Sequence, residues 1–251
     1  MTKAPGPGNT PVKVGDLRAG GSSSGARAYR ALVYGDIPWL RALYAEIVTT
    51  LFGGLGGAAG LWLRSKLYRP LFARAGAGAL FGRNVTLRHA HKIRLGAGVI
   101  VDDNAVLDAK GDGNRGITLG DGVFVGRNTI LYCKGGDIVV GDRVSFSANC
   151  QVASTRRVEV GADTVVGSFS YLLSGGEYDP ASDTPFARQS GQHEARELRI
   201  GRNCWLGAHV TVTDRGEIGE HCVVGAGAVV TRALPPHSVA VGVPARVVRT
   251  L

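Results

Sequence analysis

In the clearest stretch of the chain an aliphatic side chain falls on every sixth position, at Ile200, Leu206, Val212, Ile218, Val224 and Val230, and beyond residue 94 the same pattern recurs with insertions between coils. The residues that follow them are Gly201, Gly207, Thr213, Gly219, Gly225 and Thr231, so the pattern also repeats every 18 residues. Stepping backwards in that register gives Leu95/Val101/Leu107, Leu119/Val125/Leu131, Val140/Phe146/Val152 and Val160/Val166/Leu172, each triplet opening with an aliphatic-Gly pair. Three hexads therefore make one coil. A period of six matches neither a helix face nor simple strand alternation over such a length. It matches a triangular prism whose flat sides are short strands and whose corners turn at Gly, Asn or Asp. The 38 glycines among 251 residues, about twice the usual ~7%, supply those corners, and no G-X-Y period accompanies them. The inward aliphatics stack coil on coil into one core. Small residues two places before them share that interior, which is the expected place of Cys204 and Cys222.

The expected organisation is a flexible tail over 1–25, a helical basic-aromatic segment over 26–78 and an all-β solenoid over 79–251, with an inserted loop over 174–198. The tail is rich in Gly, Pro and Ser and short of large apolar side chains. After Pro38, Leu40, Leu43, Tyr44, Ile47, Val48, Leu51 and Phe52 recur at amphipathic-helix spacing. The 17 uncharged positions from Ile47 to Leu63 are short for a membrane span and carry five glycines. Arg64, Lys66, Arg69 and Arg74 then mix with Trp62, Tyr68 and Phe72, a pattern that suits either a bilayer surface or a helical cap on the prism. Charge is one-sided: residues 1–92 hold 13 Lys/Arg against 3 Asp/Glu, and residues 93–251 hold 16 against 17. An anionic membrane surface is the partner this implies, and no nucleic acid is expected. The four cysteines form no C-x-x-C pair and no signal peptide is evident, which points to the cytoplasm, peripherally at the inner face of the membrane.

The hexad run, and above all IGRNCWLGAHVTVTDRGEIGEHCVVGAGAVVTRALPPHSVAVGVPARVVR, resembles the hexapeptide-repeat acyltransferases, in particular the maltose, galactoside, nodulation-sugar and polysaccharide O-acetyltransferases. The resemblance implies a left-handed parallel β-helix with an N-terminal helical segment, assembled as a homotrimer, with acetyl-CoA and a saccharide or lipid-linked saccharide meeting in clefts between prisms. Acyl transfer needs a base for the acceptor's proton and a donor for the oxyanion. Where the sugar acetyltransferases carry a catalytic His, this chain has Glu177. Three alternatives follow: Glu177 is the base, His193 on the same loop folds back to replace it, or the acyl-transfer site is altered and the prism is a non-catalytic scaffold. Asn149 matches the family's substrate-contacting Asn and equally suits a left-handed corner. By the same resemblance Trp205, Ala226, Gly227 and Ala228 line a pantetheine channel, and Thr231, Arg232, Arg246 and Arg249 meet the coenzyme phosphates.

Other chemistries find less in the sequence. His209 and His237 read as solvent-facing corners, and His89 and His91 as surface residues before the first regular coil. The γ-class carbonic anhydrases share the prism but need three convergent His, and no metal site is expected here. Gly225-Ala226-Gly227 belongs to the hexad and not to a phosphate loop. An N-acyltransferase of an amino-sugar nucleotide is the alternative within the enzyme class.

Overall fold

The computed structural model describes residues 22–111, 113–176, 178–189 and 195–251. Its larger part is the expected parallel prism. Among the described residues, face A has six strands, from Arg74–Ala75 to Leu198–Ile200; face B has nine, from Leu80–Phe81 to Arg246–Thr250; and face C has seven, from Thr86–Arg88 to Val229–Val230. The hexad register is the pairing register. Leu95, Leu119, Val140, Val160 and Ile200 are successive partners on face A, Val101, Val125, Phe146, Val166, Leu206 and Val224 on face B, and Leu107, Leu131, Val152, Leu172, Val212 and Val230 on face C. Every one of these side chains is buried. Cys204 and Cys222 are buried with them, and the interior drives the Cys204 thiol up to about 11. The glycine of each aliphatic-Gly pair is required by the close approach of coils: a Cβ on Gly141 would lie 2.6 Å from the backbone nitrogen of Ala162 in the next coil.

One coil precedes those expected. Ala75, Phe81 and Leu87 pair with Leu95, Val101 and Leu107. The chain closes face B with the only antiparallel pairing among the described strands, where Arg246–Thr250 folds back on Ser238–Val241. That hairpin covers an edge otherwise open to pairing.

The helical segment comprises α1 (Ser22–Val33), α2 (Trp39–Phe52) and α3 (Gly57–Leu67). α1 starts at Ser22, inside the stretch expected to be tail; residues 1–21 of that stretch lie outside the described residues. Pro38 precedes α2, where its fixed φ of −52° suits helix entry, and Gly53 follows it. The segment caps the first coil: Ala45 and Val48 of α2 and Tyr68, Leu71 and Phe72 beyond α3 join the prism core. Tyr68 and Phe72 both meet Phe81, with ring centroids 5.6 and 5.3 Å away. The basic-aromatic run is thus corrected in part. Tyr68 and Phe72 face inward, as does Arg64, while Trp62, Lys66, Arg69 and Arg74 are exposed.

The histidine pair is also not at the surface. His89 is 9% exposed and wedged under α1, with Nε2 3.0 Å from the Ala31 carbonyl oxygen, and it stacks on His91 at 5.8 Å. Burial first, then the neighbouring His89, Arg41 and Lys92, lowers His91 to about 4. The native state therefore keeps His91 neutral while the unfolded chain takes up a proton near the ordinary value of 6.5. Stability from this group is full above 6.5 and is lost as the pH falls from there towards 4. Urea titrations across that window are expected to show a loss that His91→Asn reduces; equal slopes for the two proteins would refute it.

Candidate active site

The corner between faces B and C is a column of left-handed residues: Asn84, Asn104, Asn128, Asn149, Phe169, His209 and Gly227, with φ between 54° and 74°. Asn is at ease there because its short side chain can hydrogen-bond locally. Asn128 Nδ2 donates to Asn149 Oδ1 at 3.1 Å, which fixes the Asn149 amide and leaves its own N–H groups to point elsewhere. Asn149 is thus both a corner residue and partly exposed.

One coil later the corner departs from asparagine. Phe169 holds a φ of 61°, a conformation costing a residue of its kind roughly 1–2 kcal/mol, and remains 55% exposed. Its ring lies flat on His209, with centroids 5.0 Å apart and planes 4° from parallel. The hexad spacing contained this signal, since Phe169 occupies the register of Asn149, but the sequence reading passed over it.

Trp205 stands beside that corner on the outer row of face B, 61% exposed. The row continues in register through Val223 and Val239 to Arg249. Ala226 and Gly227 lie exposed at the corner, and a Cβ on Gly227 would meet nothing within 4 Å, so this wall is open to a narrow ligand. Ala228 differs from expectation: the whole residue is 0% exposed and belongs to the core, so it does not reach that wall. Arg246 is exposed on the final strand. Asn149, Trp205, Ala226, Gly227, Arg246 and Arg249 thus share one side of the prism.

Thr231 and Arg232 lie at the other edge of face C, where the inserted loop begins. The inserted loop leaves after Ser174, through Gly175 and Gly176 with φ of 86° and 96°, and Ser174 Oγ donates to the returning Arg196 carbonyl at 2.7 Å. The buried Asp214 accepts from the Arg196 N–H at 3.3 Å. Loop exit and re-entry are thereby clamped together, as in an Ω-loop. Within it Gln189 joins Asp179 to Thr184, and Tyr178 meets Phe186 edge-on at 6.0 Å. Thr231 and Arg232 follow the last strand of face C at this same edge. Glu177 and His193 lie outside the described residues. Strands Gln151–Ser154 and Tyr171–Ser174 separate Asn149 from the loop exit, four residues at ~3.3 Å each, or about 13 Å. The Asn149 corner and the loop exit thus lie at opposite edges of face C.

Alternative reactive groups are subdued. Burial, followed by Asp137 and Asp108, pushes the Cys133 thiol up to about 12, and burial raises Cys150 as well, so neither presents a thiolate near neutral pH. Among the described residues no group of three or more His, Cys, Asp or Glu converges as a metal-ligand set. His209 and His237 are exposed left-handed corners, as expected.

Comparison with known proteins agrees with this geometry. The family model of the bacterial transferase hexapeptide (six repeats) matches residues 198–232. The galactoside O-acetyltransferase of Escherichia coli is 30% identical over 122 residues, covering 49% of this chain and 58% of that enzyme. A Staphylococcus aureus protein that carries an acetyltransferase name is 35% identical over 126 residues, covering 44% and 63%. The chain thus spans less than two thirds of the length of these relatives. Two solved structures share the fold: the N-acyltransferase AntD of Bacillus cereus in complex with dTDP and coenzyme A (20% identity, TM-score 0.52, 74% of this chain and 88% of that one), and the polySia-specific acetyltransferase NeuO (20%, 0.50, 70% and 83%). The coil register makes the chain a parallel β-solenoid built on hexapeptide repeats, similar in its family-model match and its relatives to the bacterial hexapeptide acetyltransferases.

Proposed function

We propose that the chain is an acetyl-CoA-dependent O-acetyltransferase, acting as a homotrimer on a saccharide hydroxyl of a cell-surface glycan or its lipid-linked precursor, in the cytoplasm at the inner face of the membrane. The observation that supports this reading is that Asn149 and Trp205 lie on one side of face C, whereas the loop exit after Ser174, Thr231 and Arg232 lie at its other edge. Around a threefold axis, the loop edge of one prism, with Glu177, Thr231 and Arg232, meets the Asn149 and Trp205 side of the next. The outer rows support such an assembly. Face A presents Arg74, Arg94, Glu159 and Arg199, whereas face B presents Ile100, Phe124, Val165 and Trp205, which water does not favour.

In this reading pantetheine runs along the Ala226-Gly227 wall past Trp205, with Arg246 and Arg249 towards the coenzyme phosphates. Their planar, permanently charged forks suit that role. Glu177 takes the proton of the acceptor hydroxyl as its oxygen attacks the thioester carbonyl carbon. The tetrahedral oxyanion then collapses, the C–S bond breaks, and the thiolate of coenzyme A departs with the proton returned to it.

Calorimetry is expected to give one coenzyme A per chain, and light scattering a mass about three times 26.2 kDa. A stable monomer at micromolar concentration, or no coenzyme A binding, overturns the proposal. Acetyl-CoA consumption across sugars, glycolipids and amino-sugar nucleotides then identifies the acceptor and separates oxygen from nitrogen as the nucleophile.

A further inference from the structure

Helix α2 is built against the usual order of a cap. Its buried residues are the small Ala42, Ala45 and Val48, while Leu40, Leu43, Ile47 and Leu51 stand 62%, 46%, 47% and 65% exposed. Their spacing of three, four and four residues places them on one stripe. Trp39 and Trp62, 62% and 61% exposed, and Leu55 of the α2–α3 turn add to the apolar surface of this hairpin. A helix that only had to cover the first coil would turn its larger side chains inward.

The charge around the stripe selects what covers it. Residues 22–92 contain ten Lys/Arg against Asp36 and Glu46, and Glu46 is engaged by the hydroxyls of Tyr29 and Tyr34. Lys66, Arg69 and Arg74 are exposed near the end of α3 and the start of the prism. A second copy of this surface would bring like charges together. An anionic bilayer offers both an apolar layer and the opposite charge. No described helix is long and apolar enough to cross a membrane, and α2 and α3 have 14 and 11 residues, so the contact is parallel to the surface.

We infer that the outward stripe of α2, flanked by Trp39 and Trp62, seats the protein on an anionic lipid surface. This docking is independent of the acyl-transfer reading and leaves the two proposed half-sites on face C clear of it.

Full-length protein is incubated with phosphatidylcholine vesicles, with and without phosphatidylglycerol, and sedimented. Binding to the anionic vesicles is expected, weakened by added salt, with a blue shift of tryptophan fluorescence in a Trp205→Phe background. Leu43→Glu/Ile47→Glu is expected to lower partitioning on the order of tenfold or more, and Lys66→Glu to lower it at low salt only. Circular dichroism and light scattering establish that each variant keeps its fold and mass. Absence of binding at low ionic strength, binding unchanged by Leu43→Glu/Ile47→Glu, or a drop in oligomeric mass in that variant would each overturn the inference, the last by showing the stripe to be a subunit interface.

Discussion

Replacing Glu177 by Gln is expected to lower turnover by roughly 10²–10⁴-fold while coenzyme A binding changes little. The substitution keeps the shape of the side chain and removes its basicity. In sequence Glu177 follows Gly176, just after the last face C strand before the inserted loop, and the proposed function assigns it the base. A carboxylate does this work when burial raises its proton affinity above the ordinary ~4.3. His193→Ala is expected to be mild. Reversed results would make His193 the base, and two silent variants in an active enzyme would remove the site from this loop. Glu177→His is the sharper probe: a gain would mark a weakened version of the histidine mechanism, and a loss would show surroundings organised around a carboxylate.

Arg64→Ala is expected to cost about 3–5 kcal/mol of stability and to release the helical cap. Arg64 is only 2% exposed, and its guanidinium donates to the carbonyls of Phe81 at 2.9 Å, Phe52 at 3.0 Å and Leu55 at 2.6 Å. One side chain therefore satisfies the end of α2, the turn before α3 and the first coil together. Alanine removes this donor from all three carbonyls, of which Phe52 keeps the Leu55 N–H at 3.3 Å, and leaves a void, two penalties that add. Arg64→Lys retains the charge without the planar fork and is expected to fall between the two proteins. Urea midpoints measure the loss, and hydrogen exchange confined to α2 and α3 would show that the cap loosens before the prism. A midpoint for Arg64→Ala equal to the parent's refutes this account.

The contrast between Leu206 and Arg64 explains which parts of the structure the sequence discloses. Leu206 is one of eighteen apolar residues spaced by six within their coils, and its place follows from the period alone. Arg64 has no such lattice around it; amid Trp62, Lys66 and Tyr68 it reads as surface charge, and only the three carbonyls it meets reveal its role. The same holds for α2, whose apolar spacing was legible while the outward direction of Leu40, Leu43, Ile47 and Leu51 was not, because Ala45 and Val48 with Tyr44 and Phe52 make the joint with the prism. His89 was taken for a surface residue for want of any sign that α1 lies above it. At the candidate site Asn149, Trp205 and Arg249 fall on one side of the prism as repeat phase requires. The loop exit after Ser174 lies at the other edge of face C, a separation that spacing within one chain cannot close.

The clamp between Ser174 and Arg196 has a consequence for how such a protein diversifies. Val160 pairs with Ile200 as directly as Val140 pairs with Val160, although some twenty extra residues intervene in the first case. The core is therefore indifferent to what is threaded through that corner. Lengthening, shortening or exchanging the loop costs little closure entropy and disturbs no buried register. A lineage built on this frame can change the acceptor it recognises by grafting at a single junction, while the stacked coils and the wall beside Trp205 pass from one specificity to the next unaltered.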